Sequence, residues 1–297
     1  MDTIIGERRQ LFNLAYRLLG SLAEAEDAVQ ETYARWYAMA PEQRDAIASP
    51  GAWLTTVATR ICLNVLNSAR ARRERYVGEW IPEPLPEPAE WADAWPGGAP
   101  VDPADRVTLD ESVSMAFLVV LDSMTPAERV AFVLHDVFRY SFAEVATVTA
   151  RTPGACRQLA SSARRRIQAA RAPLTPKSQQ ADVIRAFKTA WEAKDIHALL
   201  SLLDPDATAI ADSGGLALAF LEPIHGAEQI AHGWAEIADR MPPTMKLLQR
   251  TVNGQPGLVA QDNGITVSVF AFEVVGERIK NIWAVRNPEK LRPWTVG

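Results

Sequence analysis

Apolar residues in the first seventy positions recur every three or four residues, which is the period of an amphipathic α-helix. Ser21 and Glu24 have the spacing of a capping box and predict the start of a second helix. The residues around Pro41 are expected to form a loop. Three stripes of this kind predict a small helical bundle: Leu11, Leu14, Ala15, Leu18, Leu19 and Leu22; Ala25, Ala28, Val29, Thr32, Tyr33 and Trp36; Leu54, Val57, Ala58, Ile61 and Val65.

Three more helix starts follow one another later in the chain. They lie at Thr125-Pro126, at Ser141, and at Thr152-Pro153, where a hydroxyl can cap the helix and proline suits its first turn. The interval from Ser141 to Thr152 is that of a helix-turn-helix. This part of the chain is therefore predicted to be a second all-α module.

The pattern changes after residue 177. Two amphipathic helical stretches come first, and alternating strands follow. Asn253-Gly254 and Asn263-Gly264 are typical of tight hairpin turns. Helices followed by a meander of strands predict an α+β domain with a curved sheet. The predicted strands span 207–212, 244–253, 257–261, 265–275 and 279–285, and a helix is expected over 226–240.

Basic residues divide the chain in the same place. Residues 1–176 contain arginine and no lysine, whereas both occur after Lys177, and Pro173 and Pro176 stand at the change. A second break runs from Gly78 to about Pro103; it carries seven prolines from Pro82 onward and the tryptophans Trp80, Trp91 and Trp95. Its tryptophans are too apolar for a fully solvated tether, so parts of it are expected to dock. The predicted division is a bundle at 1–76, a proline-rich acidic linker at 77–109, a helix-turn-helix at 110–172 and an α+β domain at 178–297.

Composition excludes several classes of protein. Thirty-one Lys and Arg against 36 Asp and Glu give a net charge of -5, which rules out a uniformly basic nucleic-acid binder but allows a local basic face. We expect a cytoplasmic protein without a membrane span, because no apolar run is long enough. Cys62 and Cys156 lack metal-ligand spacing and are expected to be buried thiols. No metal and no cofactor are expected.

The last predicted helix of the second module has two unlike faces. From Arg151 to Arg171 there are six arginines and no acidic residue. Arginine can address phosphates or the guanine edge bidentately, so this face predicts DNA contact, and an ordinary solvated face is the alternative. At one hundred degrees per residue the apolar face holds Cys156, Leu159, Ala160, Ala163 and Ile167, and the opposite face holds Arg157, Gln158, Ser161, Arg164 and Arg165.

Two more sets of residues in the first module point to binding. Aromatic, amide and cationic side chains follow one another on its third helix, and such a set suits melted DNA, although Trp53 could equally be core. On the second helix an acidic stripe serves either solubility or a basic protein partner. The first set is Trp53, Arg60, Asn64, Arg70, Arg72 and Arg73, and the stripe is Glu24, Asp27 and Glu31.

The order of these modules resembles a known family. The runs 14–20 (LAYRLLG), 25–32 (AEDAVQET) and 52–60 (AWLTTVATR) are similar to the polymerase-binding and minus-ten-recognising region of bacterial RNA polymerase sigma factors of the extracytoplasmic-function group. Residues 140–166 resemble their minus-thirty-five-binding domain; many members carry glycine where this chain has Thr149-Ala150. The resemblance implies binding of RNA polymerase core through the acidic stripe and of promoter DNA through both basic sets.

The resemblance extends to the rest of the chain. The run 76–84 (YVGEWIPEP) and a C-terminal domain similar to the cone-shaped SnoaL-like fold are typical of members with a fused regulatory extension. That subgroup has two short motifs, a first that is DGGGK/R-like and a second that is NPDKL-like. Here the first motif is 212–216 (DSGGL), which lacks one glycine and the basic residue, and the second motif is 287–291 (NPEKL). They imply cis-regulation by contact with the sigma modules, through Asp212, Gly214, Gly215, Asn287, Pro288 and Lys290.

Two other functions remain open from the residues. A repressor would use the same helix-turn-helix as a dimer on a palindrome. A cyclase or isomerase would use Asp212 and His225 as proton-transfer groups in a pocket that could hold a small ligand, with Trp191, Trp234 and Trp283 as walls. The acidic residue before glycines is more simply a turn former, so the expectation is a factor that is not an enzyme.

Overall fold

The computed structural model describes residues 2–73, 76–86, 113–170, 175–217, 219–220 and 222–294. The chain forms two compact units. The first unit contains described residues of 2–73 and 117–170, and the second contains 76–86, 113–116 and those after 175. No helix in these described ranges is long and apolar enough to cross a membrane.

Four helices build the first half of unit one. The Ser21 hydroxyl accepts from the Glu24 amide and starts the second helix, as predicted. The loop expected at Pro41 is instead a short helix, which the pattern could not reveal because none of its residues is buried. The helices are α1 (Asp2–Leu19), α2 (Leu22–Ala38), α3 (Pro41–Asp45) and α4 (Pro50–Arg73).

Among its described residues, the second half has four more helices and a π-helical turn. Thr125 and Ser141 each form a reciprocal capping box with the glutamate three residues on. The turn of the helix-turn-helix is closed by Ala150, which has a left-handed backbone with φ of 53°. The elements are α5 (Met115–Asp122), α6 (Pro126–Phe132), the π-helix (Val133–Val137), α7 (Phe142–Thr149) and α8 (Pro153–Ala170).

Unit two is an α+β domain, as predicted. The described part of this unit forms six strands in the order β2-β1-β6-β5-β4-β3, with β1 parallel to β6 and the other pairs antiparallel. Both predicted Asn-Gly turns are present, with positive φ at each residue. The elements are α9 (Lys177–Glu192), α10 (Ile196–Leu202), β1 (Leu203–Asp212), β2 (Ile224–His225), α11 (Ala227–Arg240), β3 (Met245–Val252), β4 (Gln255–Asp262), β5 (Ile265–Val275), β6 (Arg278–Val285) and a 3₁₀ turn (Arg292–Trp294).

Aromatic side chains fill the space between the helices and the sheet of unit two. Trp191 lies 5.2 Å from Phe270 and 6.1 Å from Trp234, measured between ring centroids. Its indole Nε1 donates to the Trp234 carbonyl at 2.9 Å, so its polar atom is satisfied within the core. The interior of this domain is therefore a packed aromatic core at these residues.

Candidate DNA-binding surfaces and a clasp

Helix α8 has the two faces that the sequence predicts. The Thr152 hydroxyl accepts from the Ala155 amide at 3.2 Å and caps its first turn. Cys156, Ala160 and Ala163 are buried against the rest of the module, whereas Arg157, Gln158 and Arg165 are exposed. The exposed side has the chemistry required to approach DNA.

Some arginines of this helix are engaged within the chain. Arg164 makes a two-pronged contact with the Asp136 carboxylate, through Nε at 2.6 Å and Nη2 at 3.2 Å. Arg157 lies over the Phe142 ring at 5.4 Å, and Arg165 Nη1 donates to the Ser161 hydroxyl at 3.4 Å. Of these three contacts, only that between Arg164 and Asp136 neutralises a charge. Arg157 and Arg165 therefore keep their positive charges at the surface.

The predicted melted-DNA set occupies α4. Trp53 is half-buried against Trp36, with ring centroids 5.2 Å apart, so it is both packed and reachable. Arg60 donates to the Thr147 carbonyl at 2.9 Å and to the Val148 carbonyl at 3.2 Å, at the carboxyl end of α7. Asn64 is exposed. The remaining three predicted residues, whose side chains lie outside the described residues, are Arg70, Arg72 and Arg73.

Further contacts join the two halves of unit one. Arg129 is 4% exposed and donates to the Leu18 carbonyl at 2.8 Å, while it pairs with Asp122 at 2.8 Å. The Tyr140 hydroxyl donates to Thr55 Oγ1 at 3.0 Å. Together with Arg60, these bonds hold the helix-turn-helix half against the first half in this conformation.

The acidic stripe of α2 faces solvent. Asp27 and Glu31 are exposed and Glu24 is half-buried at the capped end of the helix. Glu31 pairs with Arg35 at 2.9 Å, and because both side chains are about half exposed this pair contributes little stability. The stripe is thus accessible to a partner.

In unit two, the carboxylate of Asp212 is the centre of a polar cluster. The residue is fully buried. Its Oδ1 accepts from the Tyr76 hydroxyl at 2.6 Å and from the Gly214 amide at 3.1 Å, and its Oδ2 accepts from the Ile81 amide at 2.9 Å. Three donors and a cation satisfy this buried charge, and two of the donors come from the segment after the first module.

The cation is Lys290, which is 6% exposed. Its Nζ lies 2.7 Å from Asp212 Oδ2, donates to the Ile81 carbonyl, and stands 4.1 Å from the centroid of the Trp80 ring. A charge buried this deeply requires both its counter-ion and its hydrogen bonds. The first motif lacks a basic residue, and in this structure the second motif supplies the cation at Asp212.

Tyr76 and Asn287 complete the cluster. Asn287 Nδ2 donates to the Tyr76 hydroxyl at 2.9 Å, so this oxygen accepts one hydrogen bond and donates another. Burial raises the pKa of Tyr76, as does its hydrogen bond to the Asp212 carboxylate, so the hydroxyl stays protonated. Together these residues form a clasp, which consists of Tyr76, Ile81, Asp212, Asn287 and Lys290.

The glycines of the first motif fit the clasp closely. Gly214 has φ of 59°, and a Cβ there would lie 2.5 Å from Asn287 Nδ2. Gly215 has φ of 73°, and its Cβ would lie 3.1 Å from Val77 Cβ. Both backbone conformation and space require glycine at 214. Pro288 follows Asn287 in the turn after β6. The Leu291 backbone amide donates a hydrogen bond to the Pro288 carbonyl.

The segment that carries Tyr76 and Trp80 lies on unit two, as its tryptophan content suggested. Sequence reasoning missed three of its contacts. The Trp294 indole donates to the Pro84 carbonyl at 2.8 Å, and Asn253 exchanges two hydrogen bonds with Leu85. Asn253 carried only a turn signal, so no pattern indicated that it reaches a residue so distant in sequence. The division at 77–109 stays a prediction.

The catalytic alternative gains no support from the geometry. Trp191 and Trp234 are core residues, and Trp283 lies on the opposite face of β6 from the core residues Ile282 and Ala284, so the three tryptophans do not surround one pocket. His225 is exposed at the sheet edge. Among the described residues there is no group of three or more His, Cys, Asp or Glu that could hold a metal ion.

Comparison with family models defines the class of protein. The model described as Sigma-70 region 2 matches residues 5–73, and the model described as Sigma-70, region 4 matches residues 114–167. These ranges coincide with the two halves of unit one, which carry the candidate DNA surfaces. The architecture is that of a sigma-70-type initiation factor with an additional α+β domain.

Relatives over nearly the full chain define the family. The chain is 36% identical to the ECF RNA polymerase sigma factor SigJ of Mycobacterium tuberculosis H37Rv, over 96% of this chain and 90% of the relative. It is 35% identical to the probable ECF RNA polymerase sigma factor SigI of the same species, over 96% and 92%. The crystal structure of M. tuberculosis SigJ matches with a TM-score of 0.75 and 33% identity, over 98% of each chain. The chain belongs to the extracytoplasmic-function family of RNA polymerase sigma factors.

Proposed function

We propose that this chain binds RNA polymerase core and directs promoter-specific transcription initiation in the cytoplasm, without catalytic chemistry of its own. Asp27 and Glu31, with Glu24, form the surface for the core enzyme. The exposed face of α8 binds the upstream promoter element, and the melted-DNA set of α4 binds the downstream one. The observation that carries the proposal is the two-faced α8, with arginines outside and small apolar residues inside.

Initiation requires the two halves of unit one to separate. Arg60 gives two donors to carbonyls at the end of α7, where a cation also meets the negative end of the helix dipole. Such a contact contributes about 0.3–1 kcal/mol, and up to about 2 when partly buried. Binding to polymerase or DNA can offset a cost of this size, so the contact resists opening without preventing it.

The second unit modulates this opening through the clasp. The clasp holds residues 76–86, which are part of the connection between the two halves, on unit two. Release of the clasp frees these residues, about 35–40 Å of extended chain, to move relative to unit two. The state of the clasp therefore sets how much of the connection can move when the two halves separate on a promoter.

A transcription assay with purified core enzyme tests the DNA assignment. Replacement of Arg157 and Arg165 by Gln should lower promoter-dependent transcript by about tenfold or more, since a bidentate guanine contact is worth about 1–3 kcal/mol. If these arginines contact phosphates instead, the salt dependence of binding should fall by about 0.9 in log–log slope for each lost contact. Unchanged transcript and unchanged slope would contradict the assignment.

A matched control removes the same charge elsewhere. Arg185 and Arg250 are exposed arginines of unit two, and the double replacement by Gln should leave both transcript and salt slope unchanged. Core binding is measured separately for every variant. Asp27→Lys with Glu31→Lys should weaken core binding, and normal binding by that variant would remove the stripe from the proposal.

A further inference from the structure

The segment on unit two is held at a second place beyond the clasp. Asn253 lies in the turn between β3 and β4; its amide donates to the Leu85 carbonyl at 2.8 Å, and its Oδ1 accepts from the Leu85 amide at 3.0 Å. The Trp294 indole donates to the Pro84 carbonyl at 2.8 Å. All three hydrogen bonds are made to main-chain atoms of two consecutive residues, Pro84 and Leu85.

The segment is suited to this kind of recognition. Pro82, Pro84 and Pro86 have no amide donor, and their fixed φ favours an extended backbone. An extended proline-rich chain loses little entropy on binding, and its carbonyls and the remaining amides carry the polar contacts. Both backbone groups of Leu85 are hydrogen-bonded to Asn253, the carbonyl to its backbone amide and the amide to its side-chain oxygen. This pairing resembles that between two neighbouring strands.

A second turn in the same sheet shows that Asn253 does more than form a hairpin. Asn263-Gly264 has the same residue types and the same positive φ, 50° against 51° at the asparagine. Asn263 is exposed, and its side-chain amide Nδ2 donates to the carboxylate of the adjacent Asp262. Asn253 is 1% exposed and faces the segment. The turn needs a residue that tolerates positive φ, but it does not need a buried amide.

We propose that Asn253 is a positioning residue and that, with Trp294, it forms a second anchor for residues 84–86, separate from the clasp. The anchors differ in chemistry, since the clasp contains a buried ion pair and the second anchor is neutral. The two anchors hold different residues of the segment through different side chains, so loss of one leaves the segment bound through the other. The regulatory meaning of the second anchor rests on the proposed function; its existence does not.

Amide hydrogen exchange on the full chain tests the second anchor. Asn253→Gly keeps the positive φ but removes the acceptor for the Leu85 amide, and should speed exchange of that amide about fivefold to tenfold while Ile81 changes by less than about twofold. Asn253→Asp retains an acceptor oxygen and should restore protection. Asn263→Gly, the matched control, should leave both amides unchanged.

Three results would overturn the proposal. They are unchanged exchange at Leu85 in Asn253→Gly, equal acceleration of Leu85 and Ile81, and an effect of Asn263→Gly as large as that of Asn253→Gly. Failure of Asn253→Asp to restore protection would also overturn it, because the side-chain oxygen would then be irrelevant. Two results together would separate the anchor from its proposed role. If protection is lost selectively at the Leu85 amide, the second anchor is supported. If transcription is also unchanged when both anchors are weakened, the regulatory function of the segment is removed.

Discussion

Replacing Tyr76 by Phe removes one hydroxyl from the clasp and keeps the ring. The hydroxyl donates to the buried Asp212 carboxylate at 2.6 Å and accepts from Asn287 at 2.9 Å. A hydrogen bond to a charged group contributes about 1.5–3 kcal/mol, and 1.4 kcal/mol corresponds to a factor of ten. Asp212 keeps Lys290 and two amide donors, so the domain should stay folded while the clasp opens about 10- to 150-fold more often.

The Ile81 amide measures this opening directly, because it donates to Asp212 Oδ2 within the clasp. Its hydrogen exchange in the full chain should accelerate by the same factor, provided that exchange occurs through local opening. Tyr37→Phe is the matched control, since that tyrosine is 58% exposed and lies on α2. If the Ile81 amide exchanges at the same rate in Tyr76→Phe as in Tyr37→Phe and in the unchanged protein, the Tyr76 hydroxyl does not hold residues 76–86 on unit two.

Three further predictions follow from unit one. Ala150→Gly should raise the free energy of unfolding by about 1 kcal/mol in urea titrations, because alanine is strained at positive φ; a lower value would contradict this. Asp136→Asn should free Arg164, strengthen DNA binding and steepen its log–log salt slope by about 0.9, and an unchanged slope would exclude Arg164 from phosphate contact. Hydrogen bonds from the Ser141 side chain and backbone amide lower the pKa of Glu144 in the folded protein. The Glu144 carboxylate therefore contributes its full stabilisation above its pKa in the unfolded chain, about 4.3, and loses it as the pH falls through its pKa in the folded protein. Glu144→Gln should therefore flatten the acid limb of the unfolding curve, and an identical limb would show that this carboxylate does not contribute.

Local signals in the sequence predicted most of the elements. Capping at Thr125, Ser141 and Thr152 involves residues three apart, so the helices of the second module could be placed from the sequence. Asn-Gly turns placed two hairpins in the same way. The helix at Pro41 was missed because a five-residue element with no buried side chain leaves no periodic trace.

Contacts between distant residues could not be predicted in this way. The two-faced pattern of α8 indicated which side chains point outward, but not that Arg164 pairs with Asp136. Likewise Arg60 was placed on the correct helix, while its carbonyl partners lie 87 and 88 residues away. The resemblance identified Asp212 and Lys290 as motif residues, and only the structure shows which atoms they hold. Periodicity reports which side of an element is buried and carries no information about its partner.

The separation in sequence of the clasp residues sets an order of events during synthesis. Lys290 lies 209 residues after Ile81, whose carbonyl it binds. At about 5–20 residues per second a ribosome needs about 10–40 s to make that stretch. Both halves of unit one are thus synthesised before the lysine exists, and each newly made molecule passes through an interval in which the clasp cannot yet hold residues 76–86.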